Sequence, residues 1–306
     1  MEQATENTRE NYLDLARQGK TEWWRYLAGY VTILGATIIL SMMLGIGLGL
    51  IVLFDGNPAT GITGNQLIGV DPLLNFVVNL LAFVSFFLAT LLVVRFIHQR
   101  PARSLISPAT TIKWKRLFTG MALWFGLAVL ISVVEALLFP GRYLFTLDLA
   151  KWIPFAVVAL LLVPIQTSAE ELFFRGYFIQ NLGLRLKNPY LIIALSGLLF
   201  VLPHLANPEV SVNPLLVVIS YFAIGAFTAL VTLRDNGLEL ALGYHAGNNL
   251  FAFIFANCSI TPLKTPSVFT IQTLDPVYGL ITLLVAMAAF YILVFRHQPS
   301  STSELN

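Results

Sequence analysis

The chain has 306 residues, 57% of them hydrophobic and 11% charged, with a mean hydropathy of +0.78. Soluble domains carry about 25% charged residues, so a water-soluble globular fold is excluded, and a formal net charge of +2 is too small to suggest a nucleic-acid partner. The single cysteine, Cys258, excludes an intramolecular disulfide and a cysteine-rich metal cluster.

In chain order, the first 26 residues are polar and of mixed charge, unlike a cleavable signal peptide. Residues 8–25 are expected to form a short surface helix. Eight apolar blocks follow: Leu27–Phe54, Leu73–Ile97, Leu117–Phe139, Trp152–Gln180, Tyr190–Ala206, Leu215–Leu233, Leu238–Asn257 and Val277–Phe295. Turn signals punctuate them, among them Asn188-Pro189, Asn213-Pro214, Asn236-Gly237 and Asp275-Pro276. A spanning helix needs roughly 20 apolar residues, and a bilayer interior offers no partner to an unpaired backbone group, so each block is expected to be helical. The fold class is therefore all-α, a polytopic membrane bundle of about eight transmembrane helices. The tail after His297 is polar and expected to be disordered.

Lys and Arg set the expected orientation. With the amino terminus cytoplasmic, that side collects fourteen basic residues, including Arg17, Lys20, Arg25, Arg100, Arg103, Lys113 and Arg185. The opposite side has three, Arg142, Lys151 and Lys264, and Arg175 lies within a span. Both termini are thus expected to be cytoplasmic. Trp23, Trp24 and Trp152 stand at span entrances, where indole rings favour the headgroup region.

Ionisable residues in a bilayer core are expensive and mark function by default. They concentrate in the second half of the chain, as Glu170, Glu171 and Arg175 in the fourth block, His204 ending the fifth, and His245 with Asn249 in the seventh. Residues four apart share a helix face, so Glu171 is expected to pair with Arg175. Glu170, rotated about 100° away, is left free to act as a general base. His245 and Asn249, and likewise Phe200 and His204, are also four apart. On a hairpin turning near Asn188, Glu170 and His204 lie about 27 and 24 Å from the turn, so the two can face each other. His245 and Asn249 lie only about 12 and 18 Å from a turn near Gly237. Alone, each feature has a plainer use: a buried ion pair fixing a helix, a histidine satisfying backbone freed by Pro203, amides knitting helices together. Gly243 and Gly247 are read as permitting close helix packing.

The succession E-E-x-x-x-R, F-x-x-x-H and H-x-x-x-N, each on its own span, resembles the CPBP (CAAX protease and bacteriocin-processing) family of intramembrane proteases, and covers roughly Trp152 to Asn257. The resemblance implies that Glu170 activates the attacking water with His204 beside it. It further implies that His245 and Asn249 supply hydrogen bonds to the oxyanion, with Glu171, Arg175 and Phe200 in support. On this reading the chain divides into a cytoplasmic segment (1–26), three amino-terminal helices (27–150), the catalytic membrane core (151–257), and a last helix with its polar tail (258–306).

Peptide hydrolysis by a glutamate-activated water, without metal, is the favoured chemistry. Zinc or another divalent ion is the alternative. Glu170, His204 and His245 would supply three ligands, but ligation would consume the base, and no H-E-x-x-H motif is present. Expected partners are the lipid bilayer and a peptide or membrane-protein substrate, prenylated or bacteriocin-like. The competing functions are a non-proteolytic scaffold or bacteriocin-immunity protein and a proton-coupled transporter.

Overall fold

The computed structural model describes residues 11–63 and 66–296. Asp71-Pro72, Asn188-Pro189, Asn213-Pro214 and Asp275-Pro276 each open a helix in the same way. The Asp or Asn side chain accepts a hydrogen bond from a first-turn amide, and proline, with no N–H to satisfy, takes the first helical position. The helices are α1 (Trp23–Phe54), α2 (Pro72–Leu92), α3 (Trp114–Leu138), α4 (Leu149–Glu171), α5 (Ile179–Gly183), α6 (Pro189–Val201), α7 (Pro214–Asp235), α8 (Glu239–Leu250) and α9 (Pro276–Phe295). A π-helical segment, Val93–Ile97, extends α2, a second, Leu172–Phe178, joins α4 to α5, and a third, Phe251–Phe255, extends α8.

Among the described residues, six helical runs are long and apolar enough to cross a membrane, the longest being Leu149–Gly183 at 35 residues. The fifth expected span is the shorter apolar helix Pro189–His204, and the seventh is α8 with its π extension. The protein is a polytopic helical bundle. Its outer faces carry large exposed apolar side chains, such as Ile38, Met42 and Ile46 on α1, as lipid contact requires.

Two details differ from the sequence expectation. The end of the seventh block leaves the helix to form a strand, Ala256–Cys258, which pairs in parallel with Phe269–Ile271; that strand in turn pairs antiparallel with Tyr143–Phe145. The segment expected to be a surface helix is a 3₁₀ turn, Tyr12–Gln18, with Tyr12, Leu15 and Ala16 buried. Its apolar side chains are spaced to fill a gap in the bundle end rather than to lie on a membrane surface. Residues 8–10 of that segment, and the tail after His297, lie outside the described residues.

Glycines bring the site-bearing helices together. A Cβ on Gly243 would stand 1.9 Å from the Leu117 carbonyl, and one on Gly120 2.6 Å from that of Leu240, so α3 and α8 approach nearly backbone to backbone. Gly225 of α7 similarly admits Phe200 of α6, with a built Cβ 2.8 Å from that of Phe200. At one end of the bundle the Tyr12–Gln18 turn, the 98–107 loop and the turn after α7 interlock. Lys20 N donates to His98 O (2.7 Å), Leu238 N to Ile106 O (2.7 Å), and Tyr12 N to Asn236 Oδ1 (2.6 Å). Gly237, Leu238 and Glu239 are consequently buried. The turn before α8 sits inside the bundle rather than at its surface.

Candidate active site

The fourth and seventh expected spans meet through their ionisable residues. Glu171 and Arg175, both fully buried, stand 3.2 Å apart, the ion pair expected from helical spacing. Glu171 has a second partner: its Oε1 is 2.7 Å from His245 Nδ1. A carboxylate only accepts hydrogen bonds, so Nδ1 carries the proton and the tautomer is assigned by its partner. The other ring nitrogen, Nε2, faces Glu170 Oε2 at 3.5 Å. That contact is attractive only with a proton between the two, carried by the imidazole or by the carboxyl.

Arg175 is held on its other sides by α6 and α7. Its Nε donates to Thr228 Oγ1 at 2.6 Å, and its guanidinium lies over the Phe200 ring at 4.3 Å. The carbonyl of Arg175 belongs to the π-helical segment that begins just after Glu171, a kind of irregularity often found at functional sites. It accepts a hydrogen bond from the Tyr12 hydroxyl at 3.1 Å, which is shared with the Leu105 carbonyl.

Glu170 is also buried and is not free on both oxygens. Oε1 accepts from Gln166 Nε2 at 2.9 Å, whereas Oε2 has no hydrogen-bond partner among the described residues. Asn249 Nδ2 donates to Gln166 Oε1 at 2.9 Å, which ties Asn249 to Glu170 through one intervening amide. His204 stands apart from this group. Its Nδ1 donates to the Phe200 carbonyl at 2.8 Å, and its half-buried ring packs between Phe200 (4.5 Å) and Tyr221 (4.4 Å). The Phe200 ring, 6.1 Å from that of His245, lies between the two imidazoles. Tyr221 donates to Glu209 and accepts from Asn207 Nδ2 at 2.8 Å.

The structure thus joins Glu170, Glu171, Arg175 and His245 directly, reaches Asn249 through Gln166, and sets Phe200 between His245 and His204. Among the described residues no group of three His, Cys, Asp or Glu side chains converges to hold a metal ion. Of the trio Glu170, His204 and His245, the His204 Nδ1 is bonded to the Phe200 carbonyl, which leaves its Nε2 as the nitrogen open to a ligand.

This constellation lies within a segment that resembles a known sequence family. Residues 149–251 match the family model described as type II CAAX prenyl endopeptidase, Rce1-like. Over those residues the chain is similar to the Rce1-like family. The matched segment starts at the first residue of α4 and ends one residue beyond α8, and so encloses all seven site residues read from the sequence. The family implies a membrane peptidase. The chain is also 29% identical over 296 residues to a Bacillus subtilis (strain 168) protein, the uncharacterized protein YyaK, with 94% of this chain and 96% of the relative covered. No solved structure matches.

Three polar residues of the Rce1-like segment escaped the sequence reading. Gln166 carries a signal, as it lies four residues before Glu170 in an apolar run and so shares its helix face. Thr228 and Tyr221 carry none, since their relevance arises only from how α7 packs against α6 and the π-helical segment.

Proposed function

We propose that the protein is an intramembrane endopeptidase of the CAAX-processing type. One observation carries the reading: a buried carboxylate oxygen, Glu170 Oε2, has no hydrogen-bond partner among the described residues and lies 3.5 Å from an imidazole whose other nitrogen is fixed by a second carboxylate. A water between Oε2 and a bound peptide loses a proton to Glu170, and the resulting hydroxide attacks the scissile carbonyl carbon. The oxyanion takes hydrogen bonds from the second amide proton of Asn249 and from an imidazole. The stored proton then passes to the departing amine as the C–N bond breaks, so Glu170 serves first as base and then as acid. His245 shares that proton, and Glu171 with Arg175 holds His245 in its tautomer, while His204 meets the substrate from the far side of Phe200. No step requires a metal.

The substrate class is a peptide or membrane protein, prenylated or bacteriocin-like. Both termini are assigned to the cytoplasm. The interlocking of the basic 98–107 loop with the Tyr12–Gln18 turn supports that orientation, because it gathers the positive charges at one end of the bundle.

The test compares protein termini across host membranes that carry the wild type, Glu170→Gln or no protein, at matched expression. New termini that appear with the wild type and vanish with Glu170→Gln are expected. Identical termini in all three, with biological activity kept by the variant, would overturn the reading in favour of a binding scaffold.

A further inference from the structure

A chain of four hydrogen bonds crosses three helices and ends on Glu170. Trp124 Nε1 of α3 donates to Asn248 Oδ1 of α8 (3.0 Å), and Asn248 Nδ2 donates to Asn249 Oδ1 (3.0 Å). Asn249 Nδ2 donates to Gln166 Oε1 of α4 (2.9 Å), and Gln166 Nε2 to Glu170 Oε1 (2.9 Å).

The chemistry of the two ends fixes the direction. An indole N–H can only donate, so the Asn248 atom facing it must be the oxygen, and its nitrogen is turned to Asn249. The same alternation passes through Asn249 and Gln166 and presents a nitrogen to a carboxylate, which can only accept. Reading from the carboxylate end gives the same three amide orientations. No amide can flip without setting oxygen against oxygen or nitrogen against nitrogen. Trp124 is itself buried and held against Tyr244, with ring centroids 4.1 Å apart, and the α3–α8 glycine contact fixes its distance from Asn248.

We infer that Gln166, Asn248 and Trp124 are positioning residues for Glu170, forming a one-way amide relay that occupies Oε1 and leaves Oε2 as the oxygen that takes and returns the proton. The inference rests on Glu170 being the base. Because every amide in the relay both donates and accepts, its bonds polarise one another in the same sense. The relay therefore holds the carboxylate rotamer from a helix that contributes nothing else to the site. It also accounts for Asn249 having one amide proton in the relay and one to spare for an oxyanion.

The experiment uses purified full-length protein in detergent micelles, labelled with ¹⁵N-tryptophan, together with a turnover assay on a peptide taken from the termini comparison. The five tryptophans give separate indole N–H resonances, and that of Trp124 is assigned by its loss in Trp124→Phe. Gln166→Met is expected to shift this resonance and to lower kcat about tenfold, the weight of one hydrogen bond to a charged group, with KM unchanged. Trp124→Phe, which touches nothing ionisable, is expected to lower kcat in the same direction by less, and serves should Gln166→Met not accumulate. A Thr228→Val control, on the far side of Arg175, leaves the resonance in place. An unmoved resonance in Gln166→Met, or an unchanged kcat in both relay variants, overturns the inference. The resonance is read without turnover. A wild type that cleaves nothing removes the peptidase reading, and the relay then stands or falls on the resonance.

Discussion

Glu171 and His245 are 74 positions apart in the chain and 2.7 Å apart in space. The same carboxylate neutralises Arg175 one turn along its own helix. Glu171 is therefore shared between the Arg175 guanidinium and an imidazole whose other nitrogen faces Glu170. Removing Glu171 strands both in a dry interior. Glu171→Gln is expected to destabilise the protein by about 3–5 kcal/mol, the cost of breaking a buried pair by deleting one partner. Glu170→Gln keeps an acceptor for Gln166 and should cost far less. Thermal unfolding of the two variants in detergent, side by side, checks the difference.

Gly243→Ala sets a methyl group 1.9 Å from the Leu117 carbonyl, a backbone atom that cannot swing aside. The expected loss is about 1–3 kcal/mol of stability, as for an overpacked core, with α3 pushed off α8. Gly126→Ala, on the same α3 but with nothing within 4 Å, should be neutral or slightly stabilising. The pair of unfolding midpoints separates close packing from a general intolerance of alanine.

Tyr12→Phe removes one hydroxyl that serves two carbonyls, those of Leu105 and Arg175. Leaving them short of a donor in a buried position should cost about 1–3 kcal/mol. Protease susceptibility of the amino-terminal segment should rise in step, which limited proteolysis of intact membranes reads directly.

His98 lies just beyond α2 and its π extension, buried between the Lys20 carbonyl (2.7 Å) and the Tyr177 hydroxyl (2.8 Å). Burial holds its imidazole below the usual histidine range. The unfolded chain then binds a proton that the folded one refuses, so stability falls as pH drops below about 6.5 and levels off beneath the depressed folded value. Unfolding midpoints between pH 7.5 and 5 should decline for the wild type and be flatter for His98→Gln.

Much of the site was readable because helical spacing acts within one element. Glu171 with Arg175 is such a pair, and the structure bears it out. Contacts between helices followed a different rule. Spans that are apolar almost all round give no periodic face from which to read a partner, so the bond from His245 to Glu171 and the bridge through Gln166 emerge only from packing. The buried turn at Gly237 was hidden for a related reason. Asn-Gly marks a turn in any setting, and its depth depends on what covers it, here Tyr12 and the 104–107 loop. The amino-terminal segment was misjudged as a surface helix because its few apolar residues are too sparse to register as a hydrophobic face, although Tyr12 and Leu15 are wholly buried.

That buried segment imposes an order on synthesis. Tyr12 emerges from the ribosome early, yet its amide partner Asn236 follows 224 residues later, and Leu105 and Arg175 arrive in between. The hydroxyl of Tyr12 can meet its carbonyl partners on the way, but its amide must wait for Asn236 while six spans are threaded into the bilayer. The last contacts that brace the turn behind Arg175 form only once α7 has been delivered. A membrane protein assembled this way completes the packing around Arg175 only when nearly the whole chain is present to contain it.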